Sequence, residues 1–121
     1  MRPLSAMMKI YYLEIVTPDV EQLCAAYENS IGASFSAPNH ALGGAKITSL
    51  PDGYTLGVRK PMHEAEQPVT RPYYLVDDIV QAVSKAEQNG ATVAVPPMDI
   101  PGYGQCAIVM FGKIESGFWQ V

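Results

Sequence analysis

The chain is 121 residues long, the size of one compact domain, and 48% hydrophobic against 17% charged residues excludes a disordered segment. Eight Lys and Arg against twelve Asp and Glu leave a formal charge of −4. With no basic stripe, a nucleic acid or an anionic membrane surface is not an expected partner, and no apolar run approaches the roughly 20 residues of a membrane span.

Residues 1–9 read as a loose extension without the apolar core of a secretory signal, and Met1, Met7 and Met8 are all candidate starts. The β-branched and aromatic run 10–17 predicts a strand, after which Asp19 and Gln22 have the spacing of a helix start. Val20, Leu23, Cys24 and Tyr27 then fall on one helical face, and Gly32 supplies the permissive backbone on which the helix stops. The Ser-, Pro-, Asn- and Gly-rich stretch 34–44 predicts a poor edge strand plus loop. Strands follow over Ala45 to Leu50 and Tyr54 to Lys60, joined by the turn signal Pro51-Asp52-Gly53. Residues 61–70, where Pro61 and Pro68 bracket the acidic run His63-Glu64-Ala65-Glu66, read as a solvated linker.

The order then repeats. A strand over 71–77 leads into Asp78 and Gln81, a helix with Ile79, Ala82, Val83 and Ala86 on one face, and Gly90 at its end. Asp19 to Gly32 spans 13 positions and Asp78 to Gly90 spans 12, so a single indel aligns the halves. Strands are predicted over Thr92 to Val95, Gln105 to Phe111 and Ser116 to Val121, with Pro96 to Gly104 as a stiff loop. The expected architecture is β-α-β-β-β twice, modules 10–60 and 71–121, within one α+β domain. Cys24 lies on the apolar helical stripe and Cys106 in a strand-like run. Two cysteines are too few for a disulfide framework, so they read as reduced, buried thiols of a cytosolic protein.

Strand alternation sorts the side chains onto two faces. Leu13, Ile15, Leu56, Val58, Tyr74, Val76 and Phe118 form a mostly apolar set suited to packing under the helices. Tyr12, Glu14, Thr55, Gly57, Arg59, Arg71, Tyr73, Leu75, Gly117 and Trp119 form the other. That second, mixed face reads either as a sheet surface open to water or as the wall of a pocket, since Tyr, Trp and Arg combine rigid apolar area with polar handles.

The doubled module resembles the vicinal oxygen chelate superfamily, which includes glyoxalase I, extradiol dioxygenases and the bleomycin-resistance proteins. The second half carries the resemblance best, in Tyr74-Leu75-Val76-Asp77-Asp78-Ile79, Asn89-Gly90-Ala91-Thr92-Val93, Pro97-Met98-Asp99-Ile100-Pro101-Gly102-Tyr103-Gly104 and Gly117-Phe118-Trp119-Gln120. It implies two modules whose sheets curl around a shared cup, lined by the mixed face. In the superfamily's enzymes a divalent metal sits there, held by His, Glu or Gln from four strand positions. Measured from the helix-opening acids, those positions fall here at Tyr12, Arg71, Gly57 and Gly117, none of them a ligand; a guanidinium moreover repels a cation. A slipped alignment brings Glu14 or Glu115 nearer, without completing a set. The family's Asp-Pro-x-Gly turn is replaced by Met110-Phe111-Gly112-Lys113. The expectation is a cup with no metal and no cofactor.

The residues expected to bind a ligand are Tyr12, Glu14, Arg59, Arg71, Tyr73, Tyr103 and Trp119. The arginines suit a carboxylate, phosphate or phenolate, the aromatic rings suit a flat ligand, and Tyr103 lies in a loop that closes over the cup in relatives. Core packing is the alternative for the aromatic rings. Glu14 is a candidate general base if buried, although an ion pair with Arg71 or Arg59 is its simpler role. The leading expectation is a metal-free small-molecule-binding protein, a homodimer by resemblance. The alternatives are a lyase or dioxygenase-like enzyme with a displaced metal or Glu14 acid–base chemistry, and an interaction module whose cup is filled by its own aromatic rings.

Overall fold

The computed structural model describes residues 8–51, 53 and 55–121. Most of the extension 1–9, with Met1 and Met7, therefore lies outside the described residues, as do Asp52 of the expected turn and Tyr54. Among the described residues the elements are β1 (Ile10–Val16), α1 (Val20–Ile31), β2 (Lys46–Ser49), β3 (Thr55–Arg59), β4 (Val69–Leu75), α2 (Ile79–Gln88), β5 (Thr92–Ile100), β6 (Gly104–Phe111) and β7 (Ile114–Gln120). This is the expected α+β fold. No helix among the described residues is long and apolar enough to cross a membrane.

The chain forms two compact units, Tyr12–Arg71 and the described residues up to Tyr11 with Pro72–Val121. In the first, β3 lies between β1, which it pairs in parallel from Tyr12↔Thr55 to Val16↔Arg59, and β2, which it pairs antiparallel. Val20 and Cys24 of α1 pack on Val58, with Ile15, Leu23 and Phe35 around them. Burial pushes the Cys24 thiol above its ordinary range, as suits an inert small hydrophobe. In the second unit the order is β4-β7-β6-β5, parallel between β4 and β7 and antiparallel beyond. Ile79, Val83 and Ala86 of α2 pack on Ala107 and Val109, with Val76 and Phe118 beside them. In both units the apolar strand face lies under the helix, because only that face can bury area there without stranding polar groups.

Local structure departs from the sequence patterns at three places. Asp78 caps α2 as expected, its Oδ1 accepting from the Gln81 N–H at 3.1 Å, whereas Asp19 makes no side-chain cap. There the Asp19 N–H, which the Gln22 side chain would meet in a capping box, donates instead to Thr17 Oγ1 at 3.1 Å. Stretch 34–44 forms no regular edge strand. It holds a 3₁₀ turn at His40–Leu42 and one bridge, Asn39↔Ala45. Ser36 runs beside β2, its N–H donating to the Ile47 carbonyl at 2.8 Å and its Oγ accepting from the Ile47 N–H at 3.1 Å. Segment 96–104 is not a loop throughout: β5 continues to Ile100 through Pro96 and Pro97, with register shifts between Val93 and Met98. Prolines are tolerated there because β5 ends the strand order of its unit, where no further ladder partner needs the missing N–H.

Candidate functional site

The mixed face is buried, which overturns the solvent-exposed alternative. In the first unit Tyr12 and Glu14 on β1, Arg59 at the end of β3 and Arg71 on β4 are each 4–6% exposed. A polar residue survives such burial only with partners, and these residues supply one another's. The Glu14 carboxylate accepts from Arg59 Nε at 2.8 Å on Oε2 and from Arg71 Nη1 on Oε1. The ion pair expected for Glu14 is therefore made twice over. Its role as a general base loses support, because both oxygens are taken up by guanidinium donors and proton abstraction would first have to break one of those bonds.

Glu66 also joins this network, which corrects the reading of 61–70 as a solvated linker. Its Oε1 and Oε2 accept from Arg59 Nη1 at 3.0 Å and Nη2 at 2.7 Å, a two-pronged pairing. Oε1 also accepts from the Met62 N–H at 2.7 Å, and Arg59 Nη1 donates further to the Lys60 carbonyl at 3.1 Å. The neighbours His63 and Glu64 are exposed, as a solvated run requires. Only a Glu at a spacing that folds back onto Arg59 distinguished Glu66, and spacing in a Pro-bracketed segment is a weak signal.

The charges respond accordingly. Burial works against the Arg59 cation, but the hydrogen bonds and charges of Glu66 and Glu14 outweigh it and push its pKa up. The Glu66 carboxyl is lowered to about 2, first by the Arg59 hydrogen bonds, against the opposing effect of burial, and further by the Met62 N–H and the two guanidinium charges. A depressed carboxylate contributes stability that is complete above its unfolded value near 4.5 and lost as pH falls towards 2. Wild type and Glu66→Gln (E66Q), unfolded with urea across that window, are expected to differ by on the order of 1–2 kcal/mol above pH 5 and to converge near pH 2. A constant difference across the window would show that the carboxylate charge contributes nothing.

Two glycines explain why this face accommodates tyrosines. A Cβ on Gly57 would collide with the Tyr12 hydroxyl, and one on Gly117 with the Tyr73 ring. Gly117 stands directly opposite Tyr73 in the β4–β7 register. In the second unit Trp119, 2% exposed, packs edge-on against Tyr73 with ring centres 5.5 Å apart and tilted against Tyr11 at 5.7 Å. Its Nε1 donates to the Tyr103 carbonyl at 2.9 Å. Tyr103, half-buried in the turn after β5, thus holds Trp119 through its backbone.

The residues at the four positions where the resemblance expects metal ligands do not fit a metal ion. Tyr12 and Tyr73 fill the spaces left by Gly57 and Gly117, and Arg71 places a guanidinium on the nearest carboxylate, Glu14. Among the described residues no three His, Cys, Asp or Glu side chains are grouped to hold a cation. A shallow groove of about 450 Å³ opens elsewhere in the first unit, between α1 and the start of β4, and is lined by Ile15, Leu23, Tyr27, Pro68, Val69 and Thr70. None of the seven expected ligand-binding residues lines it.

No protein-family model matches the sequence, and no curated protein is significantly similar to it. Solved structures do match. A hypothetical protein, BH1468, from Bacillus halodurans C-125 has a TM-score of 0.71 over 94% of each chain at 14% identity. Methylmalonyl-CoA epimerase from Mycobacterium tuberculosis has a TM-score of 0.69, covering 92% of this chain and 86% of its own at 11% identity. A methylmalonyl-CoA epimerase in complex with methylmalonyl-CoA and NH4+ has a TM-score of 0.70 over 95% of each chain at 12% identity. Likeness at such identities establishes the fold, and residue roles do not transfer with it.

Proposed function

We propose that this chain, whose fold is that of the vicinal oxygen chelate superfamily, is a metal-independent small-molecule-binding protein that takes an aromatic or anionic compound. The observation that carries the reading is the replacement of the superfamily's ligand positions by Tyr12, Gly57, Arg71 and Gly117, with tyrosine rings over the glycines and Arg71 on Glu14. The ligand-facing residues are Tyr12, Glu14, Arg59, Arg71, Tyr73, Tyr103 and Trp119, and the protein acts as a homodimer. Binding by rigid aromatic rings and a guanidinium requires no reaction and no cation. Structural neighbours in complex with methylmalonyl-CoA or 2-nitronate-propionyl-CoA make acyl-CoA thioesters one class to test first.

Trp119 is the single tryptophan, so its emission reports on its surroundings without ambiguity. Titration with acyl-CoA thioesters, aromatic carboxylates and aromatic phosphates is expected to change that emission for at least one class, with the same affinity in the presence of a strong chelator. Light scattering is expected to give twice the 13.1 kDa chain mass. Stoichiometric metal in protein purified without an affinity tag would overturn the reading, as would a melting temperature raised by one divalent ion. The burial of Tyr12, Tyr73 and Trp119, each at most 5% exposed, favours a second reading as an interaction module filled by its own side chains. That reading predicts no response to any ligand class.

A further inference from the structure

Arg59 is held differently along its two edges. Its Nε is committed to Glu14, a residue of the regular strand β1, while Nη1 and Nη2 both reach Glu66 from an irregular strap between β3 and β4. The side chains of Arg59, Arg71 and Glu14 are 6%, 6% and 8% exposed, and that of Glu66 is 16% exposed, so Glu66 is the outermost member of the network. Arg59 and Arg71 with Glu14 alone sum to one net positive charge. A buried net cation calls for an anion, and Glu66 supplies it.

Resting on the small-molecule-binding reading above, we infer that the Glu66 carboxylate stands in for the oxyanion of a ligand, occupying on Arg59 the place that a carboxylate- or phosphate-bearing compound takes when the strap lifts. The geometry on Nη1 and Nη2 is the fork by which a guanidinium grips a carboxylate or phosphate from any source. The strap is tied together through Glu66. Its turn is closed by the Glu66 N–H donating to the His63 carbonyl at 3.1 Å and by the Met62 N–H donating to Glu66 Oε1 at 2.7 Å. Both bonds are internal to the strap, so neither has to break when the carboxylate leaves Arg59. Met62, 67% exposed, rests on the bare backbone of Gly43, where an added Cβ would stand 2.7 Å from its Cε.

A tethered carboxylate competes at an effective concentration on the order of millimolar or above, so removing it exposes the intrinsic affinity of Arg59 for anions. The test is calorimetric titration of inorganic phosphate and acetate at low ionic strength into wild type, Glu66→Ala (E66A) and the double variant E66A/R59K. E66A is expected to bind phosphate at least tenfold more tightly than wild type, and E66A/R59K to lose at least tenfold of that gain, because lysine cannot form the fork. Glu66→Gln keeps the volume and removes the charge; should E66A not fold, the same titration of E66Q is expected to show tighter binding than wild type. Equal binding by wild type and the Glu66 variants would overturn the inference, as would undiminished binding by E66A/R59K. If wild type binds an aromatic or acyl-CoA ligand while the variants gain no phosphate, this inference fails alone. If the variants gain phosphate while wild type binds no ligand class, the binding reading fails and the anion place on Arg59 stands.

Discussion

Replacing Glu14 with alanine is expected to lower the free energy of unfolding by about 3–5 kcal/mol, with a melting temperature on the order of 10 °C lower or more. The cause is the buried charge left behind. Arg71 donates to one Glu14 oxygen and Arg59 Nε to the other, and both arginines are 5% exposed, so neither can rehydrate without opening the fold. Glu66 offsets only part of the Arg59 charge, since it engages Nη1 and Nη2 and leaves Nε facing the missing carboxylate. The variant E14M/R59M/R71M/E66Q removes every charge of the network together and is expected to lie within about 2 kcal/mol of wild type. Urea unfolding of both variants decides the matter. A Glu14→Ala protein as stable as wild type would mean that the network is hydrated in solution and contributes no more than a surface ion pair.

Gly117→Ala is expected to destabilise by about 3 kcal/mol, and Gly57→Ala by a comparable amount, because each places a methyl group inside a space already filled by a tyrosine. The two clashes differ in kind, which gives the prediction a sharper form. At Gly57 the nearest atom is the Tyr12 hydroxyl, with the rest of the ring next at 2.7 and 2.9 Å. At Gly117 the ring carbons of Tyr73 are the nearest atoms. Tyr12→Phe should therefore relieve part of the Gly57→Ala cost, whereas Tyr73→Phe should leave the Gly117→Ala cost unchanged. Two double-mutant cycles read from chemical unfolding measure the couplings directly. Additive effects in the first cycle would show that Tyr12 moves away from Gly57 at little cost. Relief in the second would place the clash at the hydroxyl of Tyr73 instead of its ring.

The module was legible in the chain because its signals are local. Asp78 caps α2 through an N–H three residues on, and the apolar faces of β1, β3, α1 and α2 repeat at their own periods. Where a local competitor existed, the pattern misled: Thr17 took the Asp19 N–H that a capping box would give to Gln22, and α1 has no side-chain N-cap. Strand alternation alone also sets Tyr12, Glu14, Arg59 and Arg71 in the first unit, and Tyr73 and Trp119 in the second, on the strand face away from the helix. It did not say whether that face is wet, since a half-polar strand face suits water and a buried network equally well.

The α+β elements and the helix-covered faces can be read from the chain, because each depends on residue type and short-range spacing. What the polar residues of the mixed face pair with appears only in the folded chain. Glu14 meets Arg59 and Arg71 across 45 and 57 residues of chain, and Glu66 reaches Arg59 from a segment whose composition reads as linker. The tyrosines over Gly57 and Gly117 likewise depend on strand register. Such pairings exist only once the strands are in register, because burial, not sequence proximity, makes each charge require its particular partner and each glycine require its particular ring.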